Sequence, residues 1–72
     1  MDAMKTGSFI AQKRKERNIS QRELAKYLHI TDKAISKWER GLSFPDITVL
    51  IPLSEVLGVS LYDLLTGGGS DE

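Results

Sequence analysis

Residues 20–41, SQRELAKYLHITDKAISKWERG, decide the fold. Ser20 stands where a helix cap is expected, and Glu23, three residues on, completes the pattern of a capping box. Leu24, Ala25 and Leu28 then fall on one helical face. The pattern breaks at His29-Ile30. Thr31 offers a second cap, and Asp32 suits the positive end of the helix it opens. Ile35 and Trp38 share a face of that second helix, and Gly41 supplies a left-handed stop. With a turn of only about three residues between them, the two helices must cross steeply, in helix-turn-helix geometry. The second helix of such a pair, here about 32–40, can enter the major groove of DNA.

The surrounding composition narrows the class. A chain of 72 residues holds one domain. It has no cysteine, which removes disulfides and thiolate metal sites and points to a reducing, intracellular setting. A single histidine excludes a His-rich metal cluster, and no cofactor is expected. The N-terminal region has no long apolar run. Neither a signal peptide nor a membrane span is therefore expected, which leaves the cytoplasm, at the bacterial nucleoid.

The net charge of zero conceals a division. Residues 1–40 hold all ten basic residues and five acidic ones, a balance of +5. Residues 41–72 hold five acidic residues and no Lys or Arg, a balance of −5. Charge runs commonly amount to solvated helix faces, but here the positive half coincides with the helix-turn-helix pattern, so a polyanion is the expected partner.

Working outward, residues 1–5 carry no pattern and are expected to fray. Thr6 or Ser8 opens a first helix to about Arg17, with Phe9, Ile10 and Ala11 as its thin apolar face. Lys13 falls where that face continues, so its stem is expected along the core. Asn18 stops the helix, and Ile19 precedes the Ser20 cap. Beyond Gly41, Pro45 keeps Phe44 extended and Asp46 caps a helix to about Leu57, with Leu50, Leu53 and Leu57 inward. Pro52 inside it predicts a kink or a loose first turn. Gly58 stops it, and Ser60 and Asp63 open a last helix with Leu61, Leu64 and Leu65 inward. No segment alternates with period two. The expectation is an all-α domain of five short helices over residues 1–66, followed by a flexible tail or truncated linker over 67–72.

At this point the chain resembles the lambda-repressor-like, Cro/C1-type (Xre) helix-turn-helix family over about residues 6–65. The resemblance is carried by SQRELA at 20–25, TDKAISKWERG at 31–41, PDI at 45–47 and LGVSL at 57–61. It implies a phosphate-holding role for Gln21, a close helix approach at Ala25, and burial of Ile35 and Trp38. It also implies a buried or half-buried ion pair between Arg14 and Glu39. Two positions depart from the family pattern: His29 where many members have Gly, and Lys13 where many have Leu.

The outer face of the second helix then supplies the candidate base readers: Thr31, Asp32, Lys33, Ser36 and Lys37. Lys33 and Lys37 can donate to the O6 and N7 acceptors of guanine, and Ser36 can contact a base. Capping is the favoured role of Thr31 over contact with a thymine methyl. The helix dipole is the favoured role of Asp32 over cytosine N4. Ser20, Gln21 and Arg22 are candidate phosphate ligands, because the start of the first helix of the pair presents free N–H groups, and Arg40 is a fourth, from the far end of the second helix. Lys13, Lys15 and Arg17 read equally well as solvated charges or phosphate ligands. No nucleophile, base arrangement or phosphate-cradling glycine loop is present, so no enzymatic role is expected.

These features predict a sequence-specific reader of double-stranded DNA in a bacterial or phage-type transcriptional regulator, with repression as the expected sign. It would bind a palindromic operator as a homodimer, formed on DNA or through a further C-terminal domain. The dimer surfaces would be the loop before the fourth helix and the C-terminal helix. The alternatives are an antitoxin that binds its operator and a protein toxin, and a pure protein-interaction module on the same fold.

Overall fold

A computed structural model describes residues 2–68. The chain forms five helices, and no strand occurs among the described residues. They are α1 (Ala3–Glu16), α2 (Gln21–Leu28), α3 (Asp32–Glu39), α4 (Ile47–Leu57) and α5 (Leu61–Thr66). α1 packs on α3 and α5, α2 on α3 and α4, and α4 on α5. Helices of this length do not persist alone in water, so their order comes from this mutual packing.

Each N-terminus is capped by a short polar side chain. The capping box expected at Ser20 and Glu23 is complete: Ser20 Oγ accepts from the Glu23 N–H at 3.0 Å, and Glu23 Oε1 from the Ser20 N–H at 2.8 Å. Thr31, Asp46 and Ser60 cap α3, α4 and α5 by accepting from the N–H groups of Ala34, Thr48 and Asp63, without the reciprocal bond of a box. The start of α1 differs from expectation. Asp2 Oδ1 accepts from the N–H groups of Met4 and Lys5 at 2.9 and 3.3 Å. That satisfies two donors that a helix start leaves unpaired, so the helix begins at Ala3 and not at Thr6 or Ser8. The fraying expected for residues 1–5 therefore does not extend to 3–5.

All five C-termini end in one device. At the end of α3, the Gly41 N–H donates to the Trp38 carbonyl at 3.0 Å and the Leu42 N–H to the Lys37 carbonyl at 2.9 Å. This pair of bonds is the Schellman motif, and it recurs at Asn18, His29, Gly58 and Gly67. The motif demands a left-handed residue. Among the described residues, two that are not glycine accept that role, Asn18 at φ 57° and His29 at φ 58°. In the last instance Gly67 is left-handed and the Gly68 N–H donates to the Asp63 carbonyl at 2.8 Å, so the stop of α5 takes in residues 67 and 68. Residues 69–72 of the expected tail lie outside the described residues.

The core is one cluster: Phe9, Ile10, Leu24, Ala25, Leu28, Ile35, Trp38, Leu50, Leu53, Leu57 and Leu64. The expected stripes of α2, α3 and α4 are all in it. Helix α5 departs from expectation. Leu64 is fully buried and Leu65 packs against the cluster, but Leu61 is 39% exposed. Six residues make under two turns, so only a narrow face can reach the core. Pro52 leaves α4 unbroken from Ile47 to Leu57. In its first turn the Asp46 carbonyl accepts from both the Val49 and Leu50 N–H groups, at 2.9 and 3.1 Å.

Two long-range contacts lock α1 in place. Thr6 is buried, and its Oγ1 donates to the Leu64 carbonyl of α5 at 2.8 Å. Gly7 is buried against the last turn of α3, where an added Cβ would stand 1.9 Å from the Trp38 carbonyl oxygen. Alanine in place of glycine gains about 1 kcal/mol at an ordinary helix position. Here overpacking against fixed backbone costs about 1–3 kcal/mol and outweighs that gain. Gly7→Ala is therefore expected to lower unfolding free energy, read as a reduced urea midpoint. His29→Gly is expected to act in the opposite direction. Relief of a left-handed non-glycine residue is worth about 1–2 kcal/mol, of which glycine's chain entropy takes back about 0.5–1. A lower melting temperature for His29→Gly would show that the histidine side chain makes a compensating contact.

Candidate nucleic-acid interface

The site is built where α2 begins and where α3 turns its back on the core. Ile35 and Trp38 hold α3 down, at 0% and 5% exposure. Their periodicity leaves Asp32, Lys33 and Lys37 exposed on the other side, with Ser36 half-buried at its edge. Arg40, just past the helix end, is also exposed. Its Nε folds back to donate to the Ser36 carbonyl at 3.3 Å, which holds the guanidinium along the helix. Thr31 Oγ1 accepts from the Ala34 N–H at 3.3 Å, so its hydroxyl does cap the helix.

At the start of α2, Ser20 and Arg22 are exposed and Gln21 is half-buried. The capping box consumes the Glu23 N–H, and among the described residues the N–H groups of Gln21 and Arg22 find no protein acceptor. Two free backbone donors at the positive end of an eight-residue helix form an anion-attracting corner.

Arg14 and Glu39 form the ion pair that ties this surface to the scaffold. Arg14 Nε donates to Glu39 Oε2 at 2.7 Å and Nη2 to Oε1 at 3.0 Å, a bidentate fork. Arg14 Nη1 donates to the Ile19 carbonyl at 2.8 Å. The side chains are 11% and 8% exposed. Hydrogen bonding to Glu39 holds the Arg14 pKa above its ordinary value, against the opposing effect of burial. Gln21 joins the same carboxylate, with Nε2 donating to Glu39 Oε1 at 2.9 Å. The family resemblance implies the Arg14–Glu39 pair, but the Gln21 bond is missed, since nothing local marks a contact across 18 positions.

The ambiguous cations of α1 separate. Arg17 Nε donates to the Leu57 carbonyl at 2.9 Å and so caps the end of α4. Lys13 is half-buried, pairs with Glu16 at 3.3 Å and sits 5.6 Å from the centre of the Phe9 ring. Bonds from Lys13 and Gln12 hold the Glu16 carboxyl below its ordinary pKa. Lys15 is exposed. Among the described residues, no cluster of three His, Asp or Glu side chains can hold a metal ion, and no helix is long and apolar enough to cross a membrane.

A pair of short packed helices joined by residues 29–31, with the second held outward by a buried aliphatic–aromatic face, defines a helix-turn-helix domain. Comparison with known proteins gives the family: the helix-turn-helix family model matches residues 10–64, and the chain belongs to the Cro/C1-type helix-turn-helix family. Similar proteins include the HTH-type transcriptional regulator DicA of Escherichia coli, 43% identical over 61 residues, which cover 85% of this chain and 45% of DicA. The HTH-type transcriptional activator BcrR of Enterococcus faecalis is 36% identical over 58 residues, covering 81% of this chain and 28% of BcrR. Among solved structures, the P22 c2 repressor in complex with a synthetic operator superposes with a TM-score of 0.83 at 37% identity, covering 86% of this chain and 94% of that one. The chain spans from 28% to 56% of the length of the curated relatives it matches.

The ion pair yields a stability prediction. Arg14→Ala or Glu39→Ala leaves the other charge without its ion partner in a site about a tenth exposed, so the cost is expected to fall below the about 3–5 kcal/mol of a fully buried pair. Replacing both with apolar residues of similar volume is expected to cost less than either single change. Urea unfolding of the three variants checks the ordering, and a double variant weaker than both singles would refute it.

Proposed function

We propose that this domain reads double-stranded DNA by sequence, with α3 in the major groove, as the DNA-binding part of a bacterial or phage transcriptional repressor acting in the cytoplasm at the nucleoid. The observation that carries the reading is the outward stripe of α3, with Lys33, Ser36 and Lys37 turned from the core, set beside the free N–H corner of α2. A single basic surface thus offers base-edge donors and phosphate donors together. The P22 c2 repressor, a structural match, is seen with operator DNA, which supports the same use of the fold here.

In this reading Lys33, Ser36 and Lys37 contact bases, with Thr31 and Asp32 at the deep end of the helix. Gln21, with Ser20 and Arg22, holds a phosphate on the α2 side, and Arg40 meets backbone at the far end. The partner surface lies elsewhere. Ile47 and Ile51 on α4, one helical turn apart, are 76% and 56% exposed, and Tyr62 on α5 is 62% exposed. Their region, residues 41–68, contains no Lys or Arg. A homodimer joined through α4 and α5 would set two copies of α3 about one DNA turn apart on a palindromic site.

Randomised-site selection is expected to return inverted half-sites, and affinity for the selected duplex is expected to fall linearly with log salt. Affinity indifferent to salt would remove the DNA reading. Lys37→Ala is expected to cost roughly 1–3 kcal/mol on the best site and to relax one or two base pairs. Gln21→Ala is expected to weaken all duplexes alike. Equal losses from both variants on every sequence would dissolve the division between base reader and phosphate clamp.

A further inference from the structure

The half-buried amide of Gln21 has two ends, and only its NH2 end can donate to a phosphate. In an isolated glutamine both ends are presented with equal ease. In this domain one neighbour breaks that symmetry. Gln21 Nε2 lies 2.9 Å from Glu39 Oε1, and an ionised carboxylate only accepts. The reverse orientation would set the amide oxygen against a negative oxygen, losing a charge-assisted bond and adding repulsion. The carboxylate itself cannot turn away, because Arg14 grips both of its oxygens, at 2.7 and 3.0 Å. Arg14 is fixed in turn by the Ile19 carbonyl, in the turn that leads into α2.

We infer that Glu39 is a positioning residue for DNA binding: it fixes the Gln21 amide with one N–H spent internally and the other held ready for a phosphate oxygen. This rests on the reading of Gln21 as a phosphate ligand. The free N–H groups of Gln21 and Arg22 stand at the same helix start, so a phosphate there would meet a preset group of donors. Presetting spares the ordering of a rotamer-rich side chain on binding, which corresponds to about three- to tenfold in affinity. The gain is independent of sequence, because the contact is to backbone. The buried pair therefore serves the interface as well as the fold.

A double-variant cycle on the full chain tests this, with a duplex recovered by selection and a scrambled duplex as probes. It is read at a temperature where every variant is folded. Glu39→Gln can present its own NH2 group to Gln21, which lets the Gln21 amide reverse. The expected result is a similar three- to tenfold loss on both duplexes in the natural background, and no further loss in a Gln21→Ala background. An equal loss in the two backgrounds, or no loss in the natural one, overturns the positioning role while leaving the clamp intact. If Gln21→Ala changes neither duplex, the clamp reading fails and the positioning role fails with it. A second measurement needs no variant and so survives a Glu39→Gln chain that does not fold. In the free protein, the Gln21 side-chain NH2 group is expected to show nitrogen-15 relaxation as restricted as the α2 backbone and one deshielded proton. A Gln21 amide as mobile as that of an unfolded peptide overturns the inference.

Discussion

The bidentate bond between Arg14 and Glu39 is the constraint on which the rest of the domain depends. It joins the last full turn of α1 to the last residue of α3, across 25 positions of chain. Its value does not lie in net stability. Moving both charges out of water costs about as much as their attraction returns, and an apolar pair would serve as well or better on that count. What an apolar pair lacks is direction. The fork of Arg14 meets Glu39 in one geometry, and its third nitrogen meets the Ile19 carbonyl, so three elements are referred to a single planar group. Gly7 completes the fit nearby: α1 lies so close to the Trp38 carbonyl that a single methyl group is excluded. One contact is polar and directional, the other steric, and together they set how α3 stands on α1.

The core alone would not achieve this. Its eleven members are mostly Leu and Ile, side chains that repack with modest loss when volume is conserved. A five-helix domain with no disulfide has few other means of selecting one arrangement. The chain compensates with local order at every helix end. Short polar caps start the helices, and the same two backbone bonds stop each of them. Each connection thereby leaves its helix in a fixed direction, and the loops contribute to the angles between helices. His29 is the costly member of that set, a left-handed side chain at the turn between α2 and α3 where glycine is the cheaper residue.

This division explains what could be read from the sequence. Caps, stops and apolar stripes act within about four residues, so Ser20 with Glu23, Thr31, Asp46, and the faces of α2, α3 and α4 were legible. Asn18 and Gly58 were legible as stops for the same reason. The features that escaped are the ones whose partner lies far along the chain. Gly7 looks like an ordinary weak spot in a helix until Trp38 is beside it. Arg17 looks like a solvated charge until the end of α4 is beside it. Thr6 looked like a cap for α1 and instead reaches Leu64 on α5. Arg14 with Glu39 was the exception, reached through family resemblance and not through spacing. The start of α1 was lost for a different reason: Asp2 was a usable cap in plain view, but the polar run after it gave no periodicity to be capped. Leu61 was misplaced because a six-residue helix has too little face to carry a stripe of three.

Charge shows the same contrast between what is averaged and what is local. The chain is neutral overall, with a sequence pI near 6.6, which by itself argues against a nucleic-acid partner. That average has little meaning for a molecule 34 Å along its longest axis, because salt screens exposed charges over about 8–10 Å. A polyanion at the outer face of α3 would meet the exposed Lys33, Lys37 and Arg40 first, whatever the average over the whole chain. Nor do all ten cations count. Arg14 is neutralised by Glu39, whereas the exposed Arg17 gives one nitrogen to a carbonyl of α4 and keeps its charge. In the proposed reading, the interface is defined by the cations exposed on α3 and by the helix that holds them outward. Net charge measures neither, whereas the Arg14–Glu39 pair shows that one of the ten cations is already neutralised within the protein.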